Sequence, residues 1–159
     1  MTMPFSLRIA GAALCLLLPA LSAMAQEAPS ETAPSEAEAQ GMLGTTSGEQ
    51  VYAQICQGCH MPQGLGALGA GNYPALADNP AMASANYLAI TILNGRRNMP
   101  AFARDPNAGG FFEPVWLSDE QIANVINHVR SNFGNNYPDP ITSVEVRALR
   151  PQPEGPASN

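Results

Sequence analysis

Cys56-Gln57-Gly58-Cys59-His60 sets two thiols three positions apart and an imidazole directly after the second. The whole chain holds three cysteines and two histidines, so most of its metal-binding and redox chemistry sits in these five residues. Four uses of such a pair compete. Structural zinc takes four ligands, usually two such pairs or one pair and two spaced histidines, whereas here the remaining histidine, His128, lies far along the chain. A thioredoxin-type pair belongs beside a strand in a βαβ unit, and no such pattern surrounds it. A disulfide would use both sulfurs and leave His60 as coincidence. Covalent haem attachment employs all three residues, and C-x-x-C-H is its signature.

The spacing has a physical reason. Thiols three residues apart share one helical turn and can add to the two vinyl groups on one edge of a haem, which brings the next imidazole under the iron. Once tethered, the iron stands at a very high effective concentration around that imidazole. The residues therefore favour a covalently bound haem with His60 as a ligand.

The compartment fits. Arg8 precedes the apolar run "IAGAALCLLLPALSAMA", which closes on the small-x-small pattern Ala23-Met24-Ala25, so residues 1–25 read as a secretory signal peptide. Pro19 interrupts the run, which falls short of the roughly 20 apolar residues of a membrane span. Cleavage after Ala25 removes Cys15 and leaves Cys56 and Cys59 in an exported, oxidising setting, expected to be the periplasm. All seven basic residues are arginines; without Arg8, six face thirteen acids, a net charge of −7. Phosphate backbones call for clustered positive charge, which argues against a nucleic-acid partner, and an acidic surface suits a partner with a positive docking patch.

The elements that must position the motif are helical. Residues 26–46, "QEAPSETAPSEAEAQGMLGTT", hold almost no large side chains and read as a disordered leader. The globular part spans 47–135, a size at which only roughly two-thirds of the unfolded surface is buried, so something besides side chains is expected to complete the core. A first helix is predicted from Ser47, with Ser47-x-x-Gln50 spaced as a capping box, into the CQGCH. A second covers about Ala83 to Asn94, with Gly95 just past its end. A third follows the capping box Ser118-x-x-Gln121 and carries Ile122, Val125, Ile126, Val129 and Phe133 on one stripe. No stretch alternates with period two long enough for a sheet, so the fold class is all-α with long loops. Residues 136–159, with Ile141, Val144, Val146 and Leu149 among many prolines, read as an extended tail.

From about Gly48 to Asn135 the sequence resembles the class I c-type cytochromes: a helix into C-x-x-C-H, a loop with a proline, a middle helix, a methionine followed by proline, and a last helix. The resemblance implies three main helices wrapped around one covalent haem c. It implies that Cys56 and Cys59 form the thioethers and that His60 is the proximal axial ligand. Pro74 matches the proline whose carbonyl accepts the ring N–H of that histidine, Leu76 a leucine packed on the haem, and Met99, in "NGRRNMPAF", the distal sulfur ligand; both axial metal ligands would then be His60 and Met99. Met82 is the rival sulfur. His128 stands where the family commonly has an aromatic packed at the crossing of the first and last helices, near Gly48 and Tyr52. Arg96 and Arg97 either meet a haem propionate, face a partner or lie in a solvated loop, with Arg104 close by. Phe111, Phe112 and Trp116 either cover the haem or pack the last helix.

With both axial positions filled, the implied function is one-electron transfer, not enzymatic turnover. Electrons would pass from an exported dehydrogenase to a terminal oxidase or larger cytochrome. The competing readings are a haem c subunit permanently bound in a dehydrogenase and, if Met99 is not a ligand, a five-coordinate haem enzyme or sensor.

Overall fold

The helix that ends in the CQGCH begins at Gly48. In this computed structural model, which describes residues 41–69, 71–105, 111 and 113–151, it runs as Gly48–Val51, a π-helical stretch Tyr52–Cys56 and Gln57–His60 without a break; the three together are α1. All described residues belong to one of the chain's two structural units, Ala33–Asn159. The expected signal peptide, leader residues 26–40, Phe112 and the last eight residues lie outside the described residues. Ser47 does precede the helix, but its hydroxyl makes no cap bond, contrary to the expected capping box. Its N–H donates to Thr45 Oγ1 at 3.1 Å instead. Tertiary packing sets this start: a Cβ on Gly48 would overlap the Asn124 carbonyl and press on His128, so glycine alone lets the helix come this close to its neighbour.

That neighbour is Asp119–Ser131, here α3. The expected capping box is complete, with Ser118 Oγ accepting from Gln121 N and Gln121 Oε1 accepting from Ser118 N. Its apolar stripe is the core: Ile122, Val125, Ile126 and Val129 are buried against Val51 and Tyr52 of α1. Each fully buried aliphatic of this kind contributes about 1.5–3 kcal/mol relative to exposure. Tyr52, His128 and Phe133 close the crossing, with ring centroids 4.9–5.7 Å apart.

The middle helix, α2, is Ala85–Asn94. It starts two residues later than expected because Pro80–Ala83 forms a 3-10 turn, capped by Asn79, and Ser84 Oγ then takes the Tyr87 N–H. Leu93 and Ala89 bury toward α3. The helix-only reading needs one correction. The loop after the CQGCH contains a two-residue antiparallel pair, β1 (Ala67–Leu68) with β2 (Asn72–Tyr73), too short to leave a periodic trace in the sequence.

Two segments expected to be irregular are held by α3. Residues 41–46, the expected end of the leader, sit along it, with Gln121 Nε2 donating to the Leu43 and Thr45 carbonyls and Asn124 to Thr46. In the tail, Ser143–Ala148 is a helix, α4, not extended chain. Thr142 and Glu145 form its capping box, Ile141 and Val146 bury, and Asp119 receives Arg147 and Arg150. Arg130 is 3% exposed and donates to the Met82, Ala83 and Asp139 carbonyls, which ties the 3-10 turn and the tail to α3. No helix among the described residues is long and apolar enough to cross a membrane.

Gly48→Ala is expected to lower stability by about 3 kcal/mol, because the added methyl meets backbone that cannot yield without shifting α1. Guanidinium unfolding of the variant against wild type measures this.

Candidate functional site

Both thiols of the CQGCH are free, Cys56 half-buried and Cys59 exposed. Burial, with Cys59 the lesser cause, pushes the Cys56 thiol up to about 12, so it stays protonated at neutral pH. His60 closes α1 and places Nδ1 2.9 Å from the Pro74 carbonyl oxygen. A carbonyl only accepts, so Nδ1 carries the proton and Nε2 is the nitrogen left for a metal. A bond of this type fixes the tautomer and the ring direction of a ligating histidine and raises its basicity.

The loop that delivers Pro74 is built from backbone bonds. Met61 takes φ 63° and ψ 157°, which ends the helix. Gly66 N–H donates to the His60 carbonyl, and the Gly64 carbonyl receives the N–H groups of Leu76 at 2.7 Å and Ala77 at 2.9 Å. A Cβ on Gly66 would crowd the Tyr73 carbonyl and the Ala75 nitrogen, so the chain returns past His60 only with glycine there. Leu76 is partly buried against the core. An open groove of ≈ 460 Å³ runs beside Pro74, lined by Leu65, Leu68, Asn72 and Tyr73. Residues 50–77 contain no Asp, Glu, Lys or Arg, so no ionised side chain of this segment biases the charge on the cysteines or on His60.

Met99 is placed by a different element, the loop after α2. Gly95 leaves the helix at φ 71°, Arg96 and Met99 exchange two backbone bonds of 3.0 Å, and Phe102 and Ala103 bond back to Ile92 and Leu93 of α2. Met99 is half-buried. Its rival, Met82, is 3% exposed inside the hydrophobic core. Arg96 donates to Tyr87 Oη at 2.8 Å and lies 6.0 Å from its ring centroid, so it leans on α2; Arg97 is exposed. Arg104 lies over Trp116 at 5.1 Å. Trp116 is buried just before α3, whereas Phe111 is 96% exposed. His128 packs between Tyr52 and Phe133 and belongs to the helix crossing. The sequence reading missed the hydroxyl of Tyr52, which donates to the Met61 carbonyl at 2.7 Å; a tyrosine on the core face of the helix leading to the motif was the available signal.

Two free cysteines and a histidine whose Nδ1 is committed to the Pro74 carbonyl suit a covalently attached haem. Among the described residues no three His, Cys, Asp or Glu side chains gather as a metal site. Residues 44–129 match the family model of cytochrome c oxidase, cbb3-type, subunit III.

The chain belongs to this family of c-type cytochromes.

Its cofactor is haem c. The cytochrome is 32% identical over 117 residues to a cytochrome c-552 of Thermus thermophilus, covering 68% of this chain and 77% of that protein. It is 31% identical over 116 residues to the cytochrome c subunit of the quinone alcohol dehydrogenase of Gluconacetobacter polyoxogenes, covering 70% of this chain and 24% of that subunit. The fructose dehydrogenase cytochrome subunit of Gluconobacter japonicus is 36% identical over 101 residues, covering 57% of this chain and 19% of that subunit. The chain thus spans about a quarter or less of the length of the dehydrogenase subunits it matches.

Burial holds His128 below its ordinary 6.5, with Glu49 a smaller opposing influence. The unfolded chain therefore binds this proton more readily, and the stability present above the unfolded value declines as pH falls from about 7 through 6.5 toward the folded value. His128→Phe is expected to flatten this segment of the stability curve. Unfolding midpoints at about pH 5 and about pH 8 for both proteins test it, and an unchanged slope in the variant refutes it.

Proposed function

We propose that this cytochrome is a one-electron carrier whose haem c is held by Cys56 and Cys59 and ligated by His60 and Met99, with α1, α2 and α3 wrapped around it and Leu76 against it. When bound, the haem supplies an Fe(II)/Fe(III) couple. The observation that carries the reading is the His60 Nδ1 to Pro74 carbonyl bond, which readies Nε2 for a metal within a motif that tethers haem. Met99 adds a soft thioether, which favours the reduced state, and its loop is anchored to α2 rather than buried as filler like Met82. With no open coordination position the protein binds no substrate at iron, so it acts as a carrier and not an enzyme.

The carrier works in the periplasm after loss of residues 1–25, with 26–46 as leader, 47–135 as the cytochrome domain and 136–159 as a tail. Its donor is an exported dehydrogenase and its acceptor an oxidase or another cytochrome. The likeness to cytochrome subunits of alcohol and fructose dehydrogenases supports such a donor, and it equally supports a second reading in which the protein stays bound in a dehydrogenase complex. Purification from the periplasm separates a free carrier from a bound subunit.

In the oxidised holoprotein a methionine-to-iron charge-transfer band is expected, and Met99→Ala is expected to abolish it and lower the reduction potential. A band that survives the substitution, or a high-spin spectrum in the native protein, overturns the ligand set. Colour that leaves the polypeptide in acid-acetone overturns covalent attachment.

A further inference from the structure

Met61, the residue directly after His60, has φ 63° and ψ 157°, a region that is essentially reserved for glycine. A residue with a side chain persists there only where its surroundings over-determine it. Two donors meet on its carbonyl. One is the Gly64 N–H at 3.0 Å, a bond within the same turn. The other is the hydroxyl of Tyr52 at 2.7 Å, from nine residues earlier. Tyr52 is 3% exposed, and its ring is packed against Phe133 and His128, so its hydroxyl is fixed relative to α3. The two peptides that follow His60 are therefore pinned, the first by Gly66 N–H on the His60 carbonyl and the second by Tyr52.

We propose that Tyr52 is a positioning residue for His60: its hydroxyl holds Met61 in the glycine-type conformation and so sets the direction from which the imidazole meets the Pro74 carbonyl. This rests on the reading that His60 ligates the haem. The core can be filled by the ring alone; the hydroxyl adds nothing to packing, and burial pushes it up to about 12, so it remains a donor throughout the neutral range. Without that donor, Met61 is free to relax toward negative φ, which rotates the peptide beside His60 and lengthens the bond to Pro74. A glycine at 61 holds the same conformation without strain, so it makes the hydroxyl dispensable.

The test uses the reduced, haem-loaded protein labelled with 15N, with solvent exchange of the His60 Nδ1–H followed by NMR and the reduction potential measured alongside. Tyr52→Phe is expected to speed the exchange roughly fivefold, the effect of one lost hydrogen bond, and to shift the potential. Tyr52→Phe combined with Met61→Gly is expected to return both to the wild-type values, a coupling that lost packing does not produce. The same exchange and potential in Tyr52→Phe as in wild type, or no restoration in the double variant, overturns the proposal while leaving His60 as ligand. If Tyr52→Phe fails to retain haem, recovery of haem in the double variant supports the proposal and its absence overturns it. A wild type without a slowly exchanging Nδ1–H on a haem-shifted His60 removes the ligand reading and this proposal with it.

Discussion

An imidazole one residue past the motif's second thiol has to face a fixed direction, and the bond from His60 Nδ1 to the Pro74 carbonyl is the constraint around which the rest is arranged. It joins positions fourteen apart in sequence, so the intervening chain must leave the helix, turn and come back. The left-handed Met61, the Gly64 carbonyl with its two donors and the short β1–β2 pair accomplish that return. Metal ligands held in this manner keep their tautomer and orientation through partners outside the coordination shell. The loop is therefore part of the site and not a spacer between helices.

The loop needs a base that does not move, and the α1–α3 crossing provides it. Gly48 lets the helices approach, Val51 and Tyr52 fill the contact, and the π-helical stretch Tyr52–Cys56 widens the turns leading into the motif; such widened turns recur at functional sites. α3 then gathers distant pieces through buried polar side chains. Gln121 is fully buried, yet its amide reaches the Leu43 and Thr45 carbonyls, and Arg130 directs its donors to three backbone carbonyls. Removing either side chain would strand buried acceptors, a larger loss than the bonds themselves.

Most of this was legible where chemistry or period is local. CQGCH, the Ser118–Gln121 cap and the stripe from Ile122 to Val129 each act within a turn or two, and the structure has them where the sequence places them; Phe133, expected on the same stripe, lies past the helix end at Ser131 with φ 57°. The fit of Pro74 to His60 was readable only through family resemblance, since nothing in the spacing of a lone proline marks its carbonyl. The failures share a cause. Ser47 and Gln50 have the cap spacing, but the helix start is decided by contact with Asn124 and His128, residues far away in sequence. The α4 helix is six residues long, and surrounding prolines hid its one turn of periodicity; its Thr142–Glu145 box was the available sign. Residues 41–46 look featureless because their bonds to α3 run through backbone carbonyls, which every residue owns, although Leu43 also packs on the core.

The two proposed axial ligands differ in how firmly the chain holds them. Displacing His60 means breaking its bond to Pro74, the His60 carbonyl bond to Gly66 and the Tyr52 grip on Met61, all of them rooted in the α1–α3 core. Met99 rests on two backbone bonds with Arg96 inside its own loop and on the Phe102 and Ala103 contacts with α2, and Arg97 within that loop sits at φ 55°. Local opening follows the elements with the fewest buried anchors, so the sulfur side yields before the nitrogen side. On the proposed ligand set, any adjustment around the iron would fall to the methionine loop, while His60 would keep its bond to Pro74.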